Sequence, residues 1–221
     1  MLNLFVHLKG SCQFIRRDVL EKLEGFDEAV LSEDMEISAK LVENNYKIRY
    51  ASDVVAWQES PSNLRTLFKQ RTRWFRGTME VAIKYGRLMT KLSRISFDAE
   101  TTLFGPFILI ASLLPYMALF WSFFTFLPLD ALWRFVVQFA TLTTTLTMLI
   151  CGVALIYISK PRKVTSLLWL PFVYFYWSFQ AFIALYAMVL IVLRRPRIWT
   201  KTDKQGAVDS STMIGQATVS K

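Results

Sequence analysis

Two short stretches hold the side chains best suited to chemistry. LSEDMEIS brings Glu33, Asp34 and Glu36 together in a chain whose formal net charge is +9. QRTRW gathers Gln70, Arg71, Arg73 and Trp74. Carboxylates take protons from nucleophiles, a guanidinium grips phosphate oxygens with a planar fork, and an indole offers a flat apolar face. Each stretch also has a plain structural use. Acids in a helix's first turn complement its dipole, and a basic aromatic helix suits a membrane interface.

The elements that position these residues follow from periodicity. CQFIRRDVLEKLEGFDE reads as a short strand leading into a helix from about Asp18, ended by Gly25 as a C-terminal glycine would. Ser32 is the expected N-cap of the next helix, with Glu33, Asp34 and Glu36 in its first turn. Met35, Ile37, Leu41 and Val42 supply its apolar face, and Asn44-Asn45 close it. YKIRYA alternates Tyr46, Ile48 and Tyr50 on one side, the pattern of a half-buried strand, and VVAWQE follows as another. This mixture predicts an α/β layer over residues 1–60, small for an independent nucleus.

Residues 61–97 read as an interfacial amphipathic region whose main helix begins after Ser60-Pro61-Ser62. At 100° per residue, Leu64, Leu67, Phe68 and Phe75 share one face, whereas Gln70, Arg73, Trp74 and Gly77 gather on another. Arg65, Lys69 and Arg76 form a flank. Arg71 falls on the apolar side, from which it would snorkel. Gly77 leaves room for a close approach.

Residues 101–129, 135–159 and 164–193 contain no Asp, Glu, Lys or Arg. A span needs about 20 apolar residues to cross hydrocarbon roughly 30 Å thick. Residues 98–193 are therefore the expected α-helical transmembrane region, and 194–221 a basic, then polar, tail. Lys84, Arg87, Lys91 and Arg94 precede the first window. Lys160, Arg162 and Lys163 separate the second and third, and Arg194, Arg195 and Arg197 follow the last. By the positive-inside rule all three clusters belong to the cytoplasm, which three full crossings cannot satisfy. Either one window is re-entrant or interfacial, or the last cluster faces outward. Pro171 and Gln180 make the third window the candidate for a break.

The positive excess implies attraction to a membrane surface; with no recognition motif beside it, nucleic acid is not an expected partner. Cys12 and Cys151 are far apart, which argues against a disulfide framework. The chain has a single histidine, His7, so no metal site built on His or Cys clusters is expected.

Taken in this order, just ahead of transmembrane segments, the two stretches resemble the membrane-bound, processive family-2 glycosyltransferases: cellulose, chitin, hyaluronan and poly-N-acetylglucosamine synthases. The matching residues are GSCQFIRRDVL, GFDE, LSED, YKIRYA, ESP, QRTRW with RG just after, and the late WTKT. The likeness is close over residues 7–85 and architectural beyond them. It implies an incomplete GT-A-like α/β domain followed by transmembrane helices, in a multi-pass plasma-membrane protein whose catalytic portion is cytoplasmic.

Carried over position by position, the resemblance makes Asp34 the general base for attack of a hydroxyl on the anomeric carbon of a nucleotide-sugar, with inversion. Such help is typically worth about 10²–10⁴-fold. Glu33 would raise the proton affinity of Asp34 by like-charge repulsion. Arg73 with Gln70 would bind the leaving diphosphate, and Trp74 would face the acceptor sugar. Gly10 and Ser11 would form an acceptor-side loop. Trp199 and Thr202, in WTKT, resemble a gating segment, expected to be cytoplasmic and folded back near the Gln70–Trp74 helix. The implied partners are a nucleotide-sugar donor, a glycan or lipid-linked acceptor and membrane lipids.

In the family, a D-x-D motif in the amino-terminal half of the catalytic domain holds Mg2+ or Mn2+. No two aspartates here are separated by one residue, and no Gly-rich phosphate loop precedes the acidic helix. The expectation is a carboxy-terminal portion, with metal ligands outside this chain, that does not turn over alone. Two other classes compete: a non-catalytic membrane partner or glycan-binding subunit of a synthase, and a small transporter with a path lined by Thr141, Thr144 and Thr145. Threonines in spanning helices more often bond back to their own backbone.

Overall fold

The computed structural model describes residues 6–51, 54, 56, 58–86, 94–125, 130–158, 164–199 and 202. They form α1 (Arg17–Lys22), α2 (Glu33–Glu43), α3 (Leu64–Tyr85), α4 (Arg94–Leu103), α5 (Gly105–Ala111), α6 (Leu113–Thr125) and α7 (Ala131–Ile158). A 3-10 turn (Val164–Trp169) then leads into α8 (Leu170–Val192).

Three helices end in the same device. After α1, the Gly25 N–H donates to Leu20 C=O at 2.9 Å and Glu24 N–H to Glu21 C=O at 3.1 Å. After α2, Tyr46 N–H reaches Leu41 C=O at 2.8 Å and Asn45 N–H reaches Val42 C=O at 3.0 Å. After α8, Arg195 and Arg194 repeat the pattern onto Leu190 and Ile191. Glu24, Asn45 and Arg194 are left-handed, at φ 59°, 61° and 49°. These are Schellman motifs, which satisfy the last carbonyls and turn the chain sharply. Gly25, expected as the stop of α1, follows left-handed Glu24 and itself has a φ of +73°.

α2 lies between two apolar clusters. Ile37 and Leu41 pack with Val19 and Leu23 of the α1 region, while Ala39 packs with Val81, Ala82 and Tyr85 of α3 and Leu103 of α4. Glu36 is fully buried; it accepts from Tyr85 Oη at 2.6 Å and from Lys84 Nζ at 3.0 Å. Lys84 also reaches Asp27 at 2.8 Å. The acidic trio thus divides, and Glu36 anchors α2 to the last turn of α3.

The N-terminus of α2 sits directly on α3. Ser32 holds the N-cap position, but its side chain makes no capping bond. It faces Gly77 instead, where a Cβ would stand 2.2 Å from Ser32 Oγ and 3.1 Å from its backbone N. The room that Gly77 leaves is filled by the start of the acidic helix.

The expected α/β layer is not seen among the described residues. Tyr46 and Ile48 do pack on Val19, Leu23, Ile37 and Leu41, with Lys47 and Arg49 exposed between and after them. The alternation is present, but a strand also needs a neighbour's N–H and C=O groups, and no described segment pairs with it. Tyr50, third on the inward side, is 71% exposed. In VVAWQE, Val55 and Trp57 lie outside the described residues.

Gly105–Ser122, Ala131–Ile158 and Thr165–Val192 are long and apolar enough to cross a membrane, by length and composition. Pro106 and Pro115 lack the N–H groups that would bond Thr102 and Ala111, which accounts for the breaks between α4, α5 and α6. The break expected at Pro171 and Gln180 does not occur. Pro171 lies in the first turn of α8, where a missing N–H leaves nothing unpaired. Gln180 is buried within an unbroken helix of 23 residues, about 34 Å at 1.5 Å per residue. Along α7, Thr141 and Thr145 donate to the carbonyls four residues back, each at 2.8 Å, so both bond back to their own helix.

α3 packs along α8. The Phe68 ring lies 5.3 Å from that of Tyr186 and 6.5 Å from that of Phe179. Ala181, Ala184 and Ala187 are fully buried; such small residues let a neighbouring backbone approach closely.

Gly77→Ala should lower stability by about 1–3 kcal/mol through overpacking against Ser32. Gly86→Ala is the control, since its Cβ would meet nothing within 4 Å. Thermal unfolding of the two variants should show a lower midpoint only for Gly77→Ala.

Candidate active site

The first turn of α2 and the middle of α3 open onto one cleft of about 1950 Å³, whose wall includes Asp34, Arg73 and Trp74. Gly10 and Ser11 line it from the loop before α1, and Trp199 and Thr202 from the residues after α8. Thr200, Lys201, Asp203 and Lys204 of the WTKTDK stretch lie outside the described residues.

Asp34 is half-buried, and its Oδ1 accepts from the Met35 N–H at 2.8 Å. Gly10 lies against the other carboxylate oxygen: a Cβ there would stand 3.2 Å from Oδ2, and its φ is +72°. Both facts favour glycine, the second because the left-handed region penalises side chains. Buried Ser38 fastens this loop to α2. Its Oγ accepts from the Leu8 N–H at 2.9 Å and donates to Asp34 C=O at 2.6 Å. Gln58 Nε2 donates to Ser11 Oγ at 2.7 Å.

Burial is the largest influence on Asp34 and pushes its carboxyl above the usual range. The Met35 amide opposes this, exposed Glu33 adds to it through like-charge repulsion, and Arg73 opposes it through opposite charge. The repulsion expected from Glu33 is present but second to desolvation as a raising cause.

On α3, the Arg73 guanidinium stands 5.5 Å from the Trp199 ring centroid. Gln70 is not part of the cleft wall; its Nε2 donates to Thr202 Oγ1 at 3.4 Å. Arg71, expected to snorkel from the apolar side, lines the cleft with its guanidinium 4.3 Å from the Trp74 centroid. Residues three apart are neighbours on a helix, and cation–π attraction to the indole draws the side chain across. Arg71 Nε and Arg73 Nε are buried without a protein acceptor. Such donors cost about 1–3 kcal/mol each when unpaired, so an oxygen-rich ligand would be stabilised beside them.

No group of three or more His, Cys, Asp or Glu side chains among the described residues is placed to hold a metal ion. Glu33 and Asp34 alone do not make such a set.

Residues 3–194 match the glycosyl transferase family group 2, and the chain belongs to that family. It is 36% identical over 93 residues to a probable glycosyltransferase of Bacillus subtilis, covering 41% of this chain and 22% of the relative. It is 29% identical over 77 residues to the poly-beta-1,6-N-acetyl-D-glucosamine synthase of Staphylococcus epidermidis, covering 35% and 19%. With a probable glucomannan 4-beta-mannosyltransferase of Oryza sativa subsp. japonica it shares 24% identity over 209 residues, 91% of this chain and 36% of the relative. The matched stretches thus span about a fifth to a third of these relatives. No solved structure matches.

The raised carboxyl of Asp34 has a consequence for stability. Between its ordinary value of 3.8 and its higher folded value, the folded state binds more protons than the unfolded chain, so stability falls as pH rises through that window. Asp34→Asn should therefore melt above the wild type at pH 7, and the gap should close as pH falls toward 3.8. Melting curves of both proteins across this range check it; a gap independent of pH would remove the burial cost assigned to the carboxylate.

Proposed function

We propose that this chain supplies the base, the leaving-group contacts and the acceptor side of an inverting membrane glycosyltransferase, which passes a sugar from a nucleotide-sugar to a glycan or lipid-linked acceptor in polysaccharide synthesis. One observation carries this: Asp34 and Arg73, from separate stretches, line one cleft. Asp34 accepts the acceptor's hydroxyl proton as its oxygen bonds to the anomeric carbon. The bond from that carbon to the diphosphate breaks, and attack from the opposite face inverts the centre. Arg73 stabilises charge on the departing diphosphate, and Gln70, outside the cleft wall, meets Thr202 instead. Glu33 helps hold the proton affinity of Asp34 up.

Trp74 gives the acceptor ring a flat face, edged by Gly10 and Ser11. The cleft exceeds the roughly 300–1,000 Å³ of sites for one small ligand, in keeping with room for both donor and acceptor. Mg2+ or Mn2+, held by residues outside this chain, would neutralise the diphosphate when bound. The nucleotide-binding half is likewise assigned to sequence outside it. In this proposal the cleft faces the cytoplasm at the plasma membrane, a reading supported by the positive-inside preference of Arg194, Arg195 and Arg197.

In the full-length transferase, Asp34→Asn should cut transfer by about 10²-fold or more while nucleotide binding persists, because only the base is removed. Radiolabelled sugar incorporation and a calorimetric titration of UDP separate the two effects. Transfer above about a tenth of wild type would assign the base elsewhere, since a base contributes at least about 10²-fold.

A further inference from the structure

Arg76 was expected on a polar flank of α3, yet its side chain is only 8% exposed. Its Nε donates to Glu80 Oε1 at 3.0 Å and its Nη1 to Pro196 C=O at 3.0 Å. Nη2 donates to Arg195 C=O. Glu80, 11% exposed, pairs through its other oxygen with Arg197 Nε at 2.9 Å. Arg197 Nη1 in turn donates to Ala29 C=O at 3.1 Å, in the loop before α2. One guanidinium therefore satisfies two backbone carbonyls and a carboxylate, which a lysine's single point charge cannot reproduce.

The place of this node gives it a consequence. α8 ends at left-handed Arg194, and the chain then turns past Arg76 toward the middle of α3. Trp199 arrives beside Arg73, one turn back along the helix from Arg76 and Gly77, and Thr202 arrives at Gln70. A purely structural use, joining α3 to α8, is already served by Phe68, Phe179 and Tyr186.

We propose that Arg76 is a positioning residue: by holding the carbonyls of Arg195 and Pro196 it sets Trp199 against Arg73 and Thr202 against Gln70, and so couples the end of α8 to the cleft. Glu80 and Arg197 form the rest of the node. The catalytic consequence rests on Arg73 as a diphosphate ligand. The placement itself does not, so the two can fail separately.

The test is crosslinking of cysteine pairs by a short bifunctional thiol reagent, in membranes holding the chain with Cys12→Ser and Cys151→Ser. Gln70→Cys/Thr202→Cys reports the segment after α8, and Phe68→Cys/Tyr186→Cys reports α3–α8 packing. Arg76→Lys should slow the first crosslink by about tenfold, because a lysine cannot hold both carbonyls and Glu80 at once, and leave the second within about twofold. An unchanged first crosslink would overturn the proposal. If Arg76→Lys abolishes both, half-exposed Arg197→Lys decides. Slowing of the first crosslink alone supports the node, and no change in it, or loss of both, overturns it.

Discussion

Everything at the cleft depends on how closely α2 can sit on α3, and that is set by the absence of a side chain at Gly77. Ser32 occupies the space a Cβ would need. Asp34 follows Ser32 within the same helical turn, and Arg73 precedes Gly77 by one turn, so this single contact brings carboxylate and guanidinium to one cavity. Glu36 fixes the same pair of helices further along, where Lys84 and Tyr85 compensate its buried charge. A buried carboxylate without those partners would be strongly destabilising. The two acids thus serve opposite ends: Glu36 is buried and held through Oε1 by Lys84 and Tyr85, whereas Asp34 is half-buried with one oxygen facing the cleft-lining loop.

The cleft is also tied to the apolar helices. α3 packs along α8 through aromatic rings and a stripe of alanines, and the Schellman turn at Arg194 sends the chain back over α3. The apolar helices are therefore part of the frame that holds the cleft. This explains why Arg197, after the last apolar helix, meets Glu80 of α3 and the Ala29 carbonyl before α2.

Much of this was legible in local sequence. Helix starts and stops at Ser32, Asn44-Asn45 and Ser60-Pro61-Ser62 follow short-range rules, as do the apolar windows. The wheel placed Gln70, Arg73, Trp74 and Gly77 together, and the fold-back of Trp199 and Thr202 onto them is seen. What periodicity could not show was which partner each polar group would find. Arg71 crosses to the cleft because Trp74 lies three residues on. Arg76 and Glu80 carried an i,i+4 signal, but their burial depends on carbonyls more than a hundred residues away. Ser38, one turn after Asp34, carries no local signal of its bond to the Leu8 N–H. Composition suggests a break at Pro171 because it does not reveal where a helix begins, and the strand pattern of 46–50 does not supply a pairing partner.

The central claim is that the acidic helix and the arginine helix make one electrostatic centre, and the Asp34 carboxyl reports on it directly. Its titration can be followed by the carboxyl carbon resonance in protein labelled at aspartate, with Asp34→Asn giving the assignment. Arg73 lowers the Asp34 pKa in the arrangement described, so Arg73→Gln should move that titration to higher pH, while Arg65→Gln, at an exposed position on the same helix, should leave it in place. An Asp34 titration that ignores the loss of Arg73 would contradict the account.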